Sequence, residues 1–349
     1  MGKRSMKCVL GTAIAGLVLA GVGASTAKAQ YQWITLDSSD PGNIGTDLWG
    51  LSNGRVVSGF ENPPPGPPSG GLPGSAGLIF SNLNNSPANI IMAPGSTDTE
   101  LYQINNGGLI AATYGDNVGN GVHAAIYDSV HNTFTTLPDS TNLNSPFNEA
   151  TGINNHGLVT GTMYNLPSAS SGSTVSIIQG QSWIWNGTSY SPVTVSAADP
   201  TTGGVITASI NDAGTVVGLY TDSAGASHGF MKTLTGTATT LDYSLFGLPA
   251  SGTEATGINN NGVVVGSFSD GSVWHGFIYQ NGTFSAPIDF PETGVTNTFV
   301  TAINDNGDLA GYYDDATGEH GFVALVPEPA SLGLLAAGAL LLGRRRRTC

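Results

Sequence analysis

The feature that most constrains this chain is a phrase it repeats: Ile-Asn, two variable residues, Gly, a β-branched run, Gly and an aromatic. The phrase starts at Ile104 (INNGGLIAATY), Ile153 (INNHGLVTGTMY), Ile210 (INDAGTVVGLY), Ile258 (INNNGVVVGSF) and Ile303 (INDNGDLAGYY). A degenerate sixth copy, read as one residue shorter in its turn, starts at Leu51 (LSNGRVVSGF). Successive starts lie 53, 49, 57, 48 and 45 residues apart. Asn and Asp tolerate left-handed backbone and Gly takes positive φ at no cost, so the front of each phrase is a tight turn and its back a Val-rich strand. A further apolar run follows: HAAIY from His123, SWIWNG from Ser182, HGFMK from His228, HGFIY from His275 and HGFVAL from His320. Asn186-Gly187 and Asn281-Gly282 then signal hairpins, leading to fourth runs such as TFTTLPD from Thr133, ATTLDYS from Ala238 and FSAPIDF from Phe284.

A four-stranded antiparallel sheet cannot bury both faces alone, and units recurring at this spacing do so by packing against their neighbours. The sequence therefore predicts an all-β fold over residues 30–325, a β-propeller of about six four-stranded blades. An open stack or two smaller β domains is the competing architecture. The last unit runs out after HGFVAL without a fourth strand, while Tyr31–Asp37 (YQWITLD) is an orphan strand resembling the fourth ones. The expectation is that this N-terminal strand completes the last blade and closes the ring, hiding edges that would template aggregation. The Pro-rich stretch Glu61–Gly74 reads as a loop inside the first blade. These repeats resemble the HAF family of extracellular repeats, whose His-Ala-Phe-like triplet is here mostly His-Gly-Phe. The resemblance implies an extracellular location rather than an activity.

The two ends carry addresses. Residues 1–29 begin with Lys3, Arg4 and Lys7, continue through the apolar Val9–Val22 and end in Ala27-Lys28-Ala29, the three-part pattern of a secretory signal helix cleaved after Ala29. Such a signal implies the Sec export machinery as a partner. Residues 326–349 begin with Val326, Pro327, Glu328 and Pro329, pass through the apolar stretch Ser331–Gly343 and end on Arg344, Arg345, Arg346 and Arg347. The prolines break what precedes, Leu and Ala favour a helix, and the arginines hold its end on the cytoplasmic side. This tail resembles the PEP-CTERM sorting signal of Gram-negative bacteria. The resemblance implies transient membrane insertion through the C-terminal hydrophobic helix, cleavage by an exosortase-type protease, and passage from an inner-membrane intermediate to the cell surface or an exopolysaccharide matrix.

Of the ten Lys and Arg, eight lie in these terminal segments, leaving Arg55 and Lys232. All 24 acidic residues lie between the signal and the tail helix, so two cations face 24 acids and the formal charge there is −22. That field repels phosphate backbones, and no nucleic-acid partner is expected. Cys8 and Cys349 also lie in the terminal segments, so stability must come from burial without disulfides.

The sequence assigns no catalytic, cofactor or metal residue. There is no G-x-S-x-G, H-E-x-x-H or phosphate loop. His123, His228, His275 and His320 recur at one place in four units and are read as structural, bonding a neighbouring turn, rather than as a metal ring. The turn Asn304–Asp308, with Asp314 and Asp315 nearby, offers oxygens but no complete calcium loop. Trp33, Trp49, Trp183, Trp185 and Trp274 are read as packing groups, with stacking on sugar rings as the alternative. The resulting expectation is a non-enzymatic surface or matrix protein contacting exopolysaccharide or other proteins. A secreted carbohydrate-active enzyme on the same scaffold is the competing reading, to be favoured by carboxylates clustered among aromatics at one end of the ring.

Overall fold

The computed structural model describes residues 31–39, 44–62, 74–83, 88–116, 121–138, 147–165, 179–201, 203–245 and 248–327. The predicted signal helix and its cleavage residues Ala27 and Ala29 lie outside these, as does the tail from Glu328 onward. The described residues hold strands and turns and no α-helix.

Each repeat folds into an antiparallel set of strands in chain order. Unit one comprises Gly45–Leu51, Val57–Asn62, Ala76–Phe80 and Asn89–Ile91, and unit two Ser96–Ile104, Leu109–Asp116, Val122–Asp128 and Thr133–Thr136. Units three to five begin at Phe147, Val205 and Gly252 and follow the same order. Unit six has three strands of its own, Asn297–Ile303, Leu309–Asp315 and Gly318–Leu325. Its fourth is the N-terminal strand Gln32–Thr35, antiparallel to Gly318–Leu325 with Gln32 opposite Leu325 and Thr35 opposite Phe322. The orphan strand thus pairs where the missing one was expected. No sheet closes on itself; the units meet face to face through apolar seams, such as the one where Phe322 and Leu309 of unit six pack with Val263 and Val265 of unit five.

The two glycines of the phrase have separate causes. The first takes positive φ in the turn, at 84° in Gly108, 78° in Gly157 and 73° in Gly262. In unit one Arg55 stands there with φ 61°. Ser52 and Arg55 make the turn hydrogen bonds that Asn105 and Gly108 make in unit two, so the sixth copy is full length and the expectation of a shorter turn is corrected. The second glycine follows from a β-bulge that recurs in the inner strand of each unit, between Ala150 and Gly152 in unit three and Ala255 and Gly257 in unit five. The bulge pushes a carbonyl at the next strand. A Cβ on Gly161 or Gly266 would lie 2.0 or 1.9 Å from the carbonyl oxygens of Glu149 and Glu254.

One end of the inner strands is tied by a circuit of turn hydrogen bonds. The backbone N–H of Asn53 donates to Asn106 Oδ1, Asn106 to Asn155, Asn155 to Asp212, Asp212 to Asn260, Asn260 to Asp305, and Asp305 back to Asn53, all at 2.8–2.9 Å. Beneath it, the buried amides of Asn105, Asn154, Asn211, Asn259 and Asn304 each donate to a carbonyl of the following unit. The Asn of Ile-Asn therefore both shapes its own turn and ties that turn to the next. The residue before each Ile or Leu is small in units one, three, four, five and six, being Gly50, Gly152, Ser209, Gly257 and Ala302. Unit two places Gln103 there. Its Oε1 accepts from the Ile153 and Ile210 N–H groups at 3.0 and 3.1 Å, and its amide donates to the Ile210 carbonyl. The cavity left among these turns is about 40 Å³, room for one or two waters.

Candidate functional site

The inner strands present a second set of side chains toward the opposite end. Successive strand residues face opposite ways, so the fourth and second residues before the Ile or Leu share an orientation up to the bulge. The fourth is Asp47, Glu100, Glu149, Ile206, Glu254 and Phe299 in units one to six, a carboxylate in four of the six. Asp47 is buried and the others half-buried. Asn62 Nδ2 donates to Glu319 Oε1 at 2.8 Å and to Asp47 Oδ2 at 3.4 Å. Tyr102 donates to Glu100 at 2.6 Å, and the Tyr164 hydroxyl donates to Glu149.

Burial pushes the Asp47 carboxyl up to about 9, with the neighbouring Glu319 adding to the rise. At neutral pH the Asp47 carboxyl is therefore held in its protonated form. Desolvation, reinforced by the charge of Glu100, lifts Glu149 to about 7. Glu100, Glu254 and Asp98 are also raised, burial being the first cause in each. Arg55 is held by Asp308 at the turn end, with Nε to Oδ2 at 2.9 Å, and Lys232 donates to the Gly236 carbonyl. Neither cation of the body neutralises this group.

Aromatic rings run beside the acids as an arc. Trp274 lies 5.6 Å from Phe299, Phe299 stacks on Tyr312 at 4.7 Å, and Trp49 lies 6.2 Å from Tyr312 and 5.7 Å from Tyr102, which continues to Phe60 at 5.8 Å. Two of the five tryptophans therefore belong to this acid-and-aromatic funnel. The other three pack: Trp33 against Phe290 and Phe322, Trp183 and Trp185 around Tyr190.

The recurring histidines occupy outer positions. His228 bridges Asp242 at 2.8 Å and Asp222 at 3.3 Å, and His275 bridges Asp289 at 2.6 Å and Asp270 at 3.6 Å. His320 bridges Asp37 of the N-terminal strand at 2.8 Å and Asp315 at 3.4 Å. Each also lies against the ring of Tyr220, Phe268 or Tyr313. Burial lowers His228 and His320, but their aspartates outweigh it and both are raised overall. The phrase His-Gly-Phe thereby resolves into three tasks: the His pins a turn to the fourth strand, the Gly allows close approach, and Phe230, Phe277 and Phe322 fill the seams fully buried. The turn weighed as a calcium loop is spent internally. Asp308 accepts from Arg55, Asn304 and the Val326 N–H, and Asn304 Oδ1 from the Asn306 and Asp308 N–H groups. Among the described residues no three His, Cys, Asp or Glu side chains are grouped to hold a metal.

Of the sorting residues, Val326 and Pro327 lie within the described residues, directly after the last strand; Glu328, Pro329 and Arg344 to Arg347 lie outside them. Residues 325–347 match the PEP-CTERM protein-sorting motif. No curated protein matches the sequence. Among solved structures the chain is similar to the Hadza microbial sialidase Hz136, with TM-score 0.51 and 10% identity over 81% of this chain and 66% of that one. It also resembles the fucose-binding lectin of Aleuria aurantia (TM-score 0.49, 12% identity, 83% and 99% covered). A third is the β-propeller domain of the Trilobed protease from Pyrococcus furiosus (TM-score 0.45, 9% identity, 83% and 94% covered). At such identities the likeness speaks to the fold, that of β-propeller proteins, and not to an activity.

The inner-strand carboxylates escaped the sequence reading because it was anchored on the turn. Counting back four residues from each Ile or Leu exposes Asp47, Glu100, Glu149 and Glu254 at one register.

Proposed function

We propose that this protein is exported, freed of its signal after Ala29, held transiently by its C-terminal helix, and cleaved by an exosortase-type protease to act at the cell surface or in an exopolysaccharide matrix. Its body is then a six-bladed β-propeller of HAF-type repeats completed by the N-terminal strand, working as a binding module. The observation that carries this reading is the junction between body and tail. The last strand ends at Leu325, the sorting motif begins at 325, and the final described contact is the Val326 N–H to Asp308. Cleavage beyond Pro327 leaves every described strand and every described seam side chain in place.

Intact mass and fractionation of the protein in its own host, with and without Arg344 to Arg347, test it. The expected result is a new C-terminus near Val326–Ala330 and departure from the inner membrane only when the arginines are present. A mature form that keeps its arginines and stays in the membrane makes the tail an ordinary anchor.

A second reading, a carbohydrate-active enzyme, is favoured by one observation: carboxylates crowd among aromatics at the centre, with Glu149 raised toward neutrality as a general acid requires. Incubation with the host's exopolysaccharide separates the two. The binding module leaves its chain length unchanged, whereas depolymerisation that is abolished in Glu149→Gln establishes the enzyme.

A further inference from the structure

We propose that the acid-and-aromatic funnel recognises an organic ammonium group, presented most suitably by an amino sugar with a free amine. This rests on the reading of the body as a binding module and names the chemistry of its ligand.

Three observations bear on the choice. Asp47 lies within reach of the charges of Glu319 and Glu100, Glu149 of that of Glu100, and Asp47, Glu319 and Glu254 all act on Tyr312; Arg55 is spent on Asp308 and Lys232 on the Gly236 carbonyl. Asp47, only 8% exposed, has a buried Oδ1 with no hydrogen-bond partner, and the indole N–H of Trp49, two residues on in the same strand, is also buried without an acceptor. A carboxyl oxygen and an indole N–H both left without partners, two residues apart on one strand, match a ligand carrying both an ammonium and a hydroxyl. Finally, the rings of Trp49, Tyr102, Tyr312 and Phe299 form a continuous arc whose Tyr102 bonds Glu100 and whose Tyr312 lies within reach of Asp47, Glu319 and Glu254, and among the described residues no three His, Cys, Asp or Glu side chains are grouped to hold a metal. An ammonium on a carbon frame is stabilised by both components, by charge-assisted hydrogen bonds to carboxylates and by the negative faces of aromatic rings. A bare divalent ion gains little from the rings. A neutral sugar leaves the crowded charge unrelieved.

The crowding is also costly to the fold, as expected of a site kept for binding. Neutralising it should therefore leave the protein at least as stable while abolishing recognition.

The test is calorimetric titration of the full chain in detergent solution, near neutral pH, with a glucosamine oligomer, the matching N-acetylglucosamine oligomer and spermidine. The expected result is binding of the glucosamine oligomer, about tenfold or more weaker binding of the acetylated one, and loss of binding in the double variant Glu149→Gln, Glu254→Gln without a fall in its melting temperature. Competition by spermidine supports the ammonium site and shows the sugar ring to be dispensable. Equal affinity for both oligomers overturns the inference while leaving a glycan-binding module in place. If neither oligomer nor spermidine binds the folded protein, the funnel is not the binding face and both readings of it fall. The Gln substitutions keep shape and size, and Trp49→Phe, which keeps an aromatic but smaller ring and deletes the N–H, gives a second check through a weaker but measurable affinity.

Discussion

The two ends of the inner strands are built from the same repeated segments and obey opposite rules. At the turn end the polar groups are partnered: backbone N–H groups of Asn53, Asn106, Asn155, Asp212, Asn260 and Asp305 hand on around a circuit, and the amides beneath reach the next unit's carbonyls. At the funnel end burial raises Asp47, Glu100, Glu149 and Glu254 alike, and the charge of Glu100 adds to the rise at Asp47 and Glu149. Repetition lets a hydrogen-bond scheme be reused from unit to unit, because each donor meets the same acceptor. The same repetition multiplies like charge from unit to unit. The first end holds the fold, and the second spends some of that stability.

The largest effect is expected from breaking the turn end. Asn154→Ala removes the donation to the Asn211 carbonyl and the acceptor for the His156 and Leu158 N–H groups, all at a residue 3% exposed. A loss of about 3 kcal/mol is expected from the denaturant midpoint, because buried groups lose their partners. Arg55→Gly comes next. It relieves a left-handed backbone but leaves the fully buried Asp308 without its cation, and the net loss is expected at ~2 kcal/mol in the same assay.

The funnel end should respond in the opposite sense. Glu149→Gln removes a desolvated charge and should raise stability at alkaline pH by roughly 1 kcal/mol, vanishing in mild acid where the wild-type carboxyl is already protonated. The wild type should show the matching pH dependence. Carboxyls raised in the folded state favour it fully below their ordinary values of 3.8 and 4.5, and that contribution is lost as pH climbs through about 7 for Glu149 and about 9 for Asp47. His228 and His320, also raised, act in the same direction above 6.5. A melting series should therefore fall steadily from about pH 5 to about pH 9. The smallest effect is His228→Gln, where part-exposed ion pairs contribute at most about 1 kcal/mol, seen below pH 6.5 and fading above it.

What was legible in the sequence follows the same division. The turn end could be read because its chemistry is local: Asn, Asp and Gly in a fixed phrase set their own backbone, and the phrase recurs. The pairing of Gln32–Thr35 with Gly318–Leu325 was legible as an unmatched strand at each end. The equal length of the first turn was hidden because Arg55 replaces the expected glycine, a substitution whose reward is Asp308, 253 residues away. Gln103 carries no local mark of its reach to Ile210. The funnel was illegible for a related reason. A carboxylate in a polar-looking strand becomes a site only when neighbouring strands bring its copies together.

The most direct test of the central claim, that one end is held under unrelieved charge, is a residue-resolved ¹³C NMR titration of the Glu149 side chain. The account predicts a midpoint near 7, falling when an ammonium ligand is added. A midpoint at the ordinary 4.5, unmoved by ligand, would contradict it.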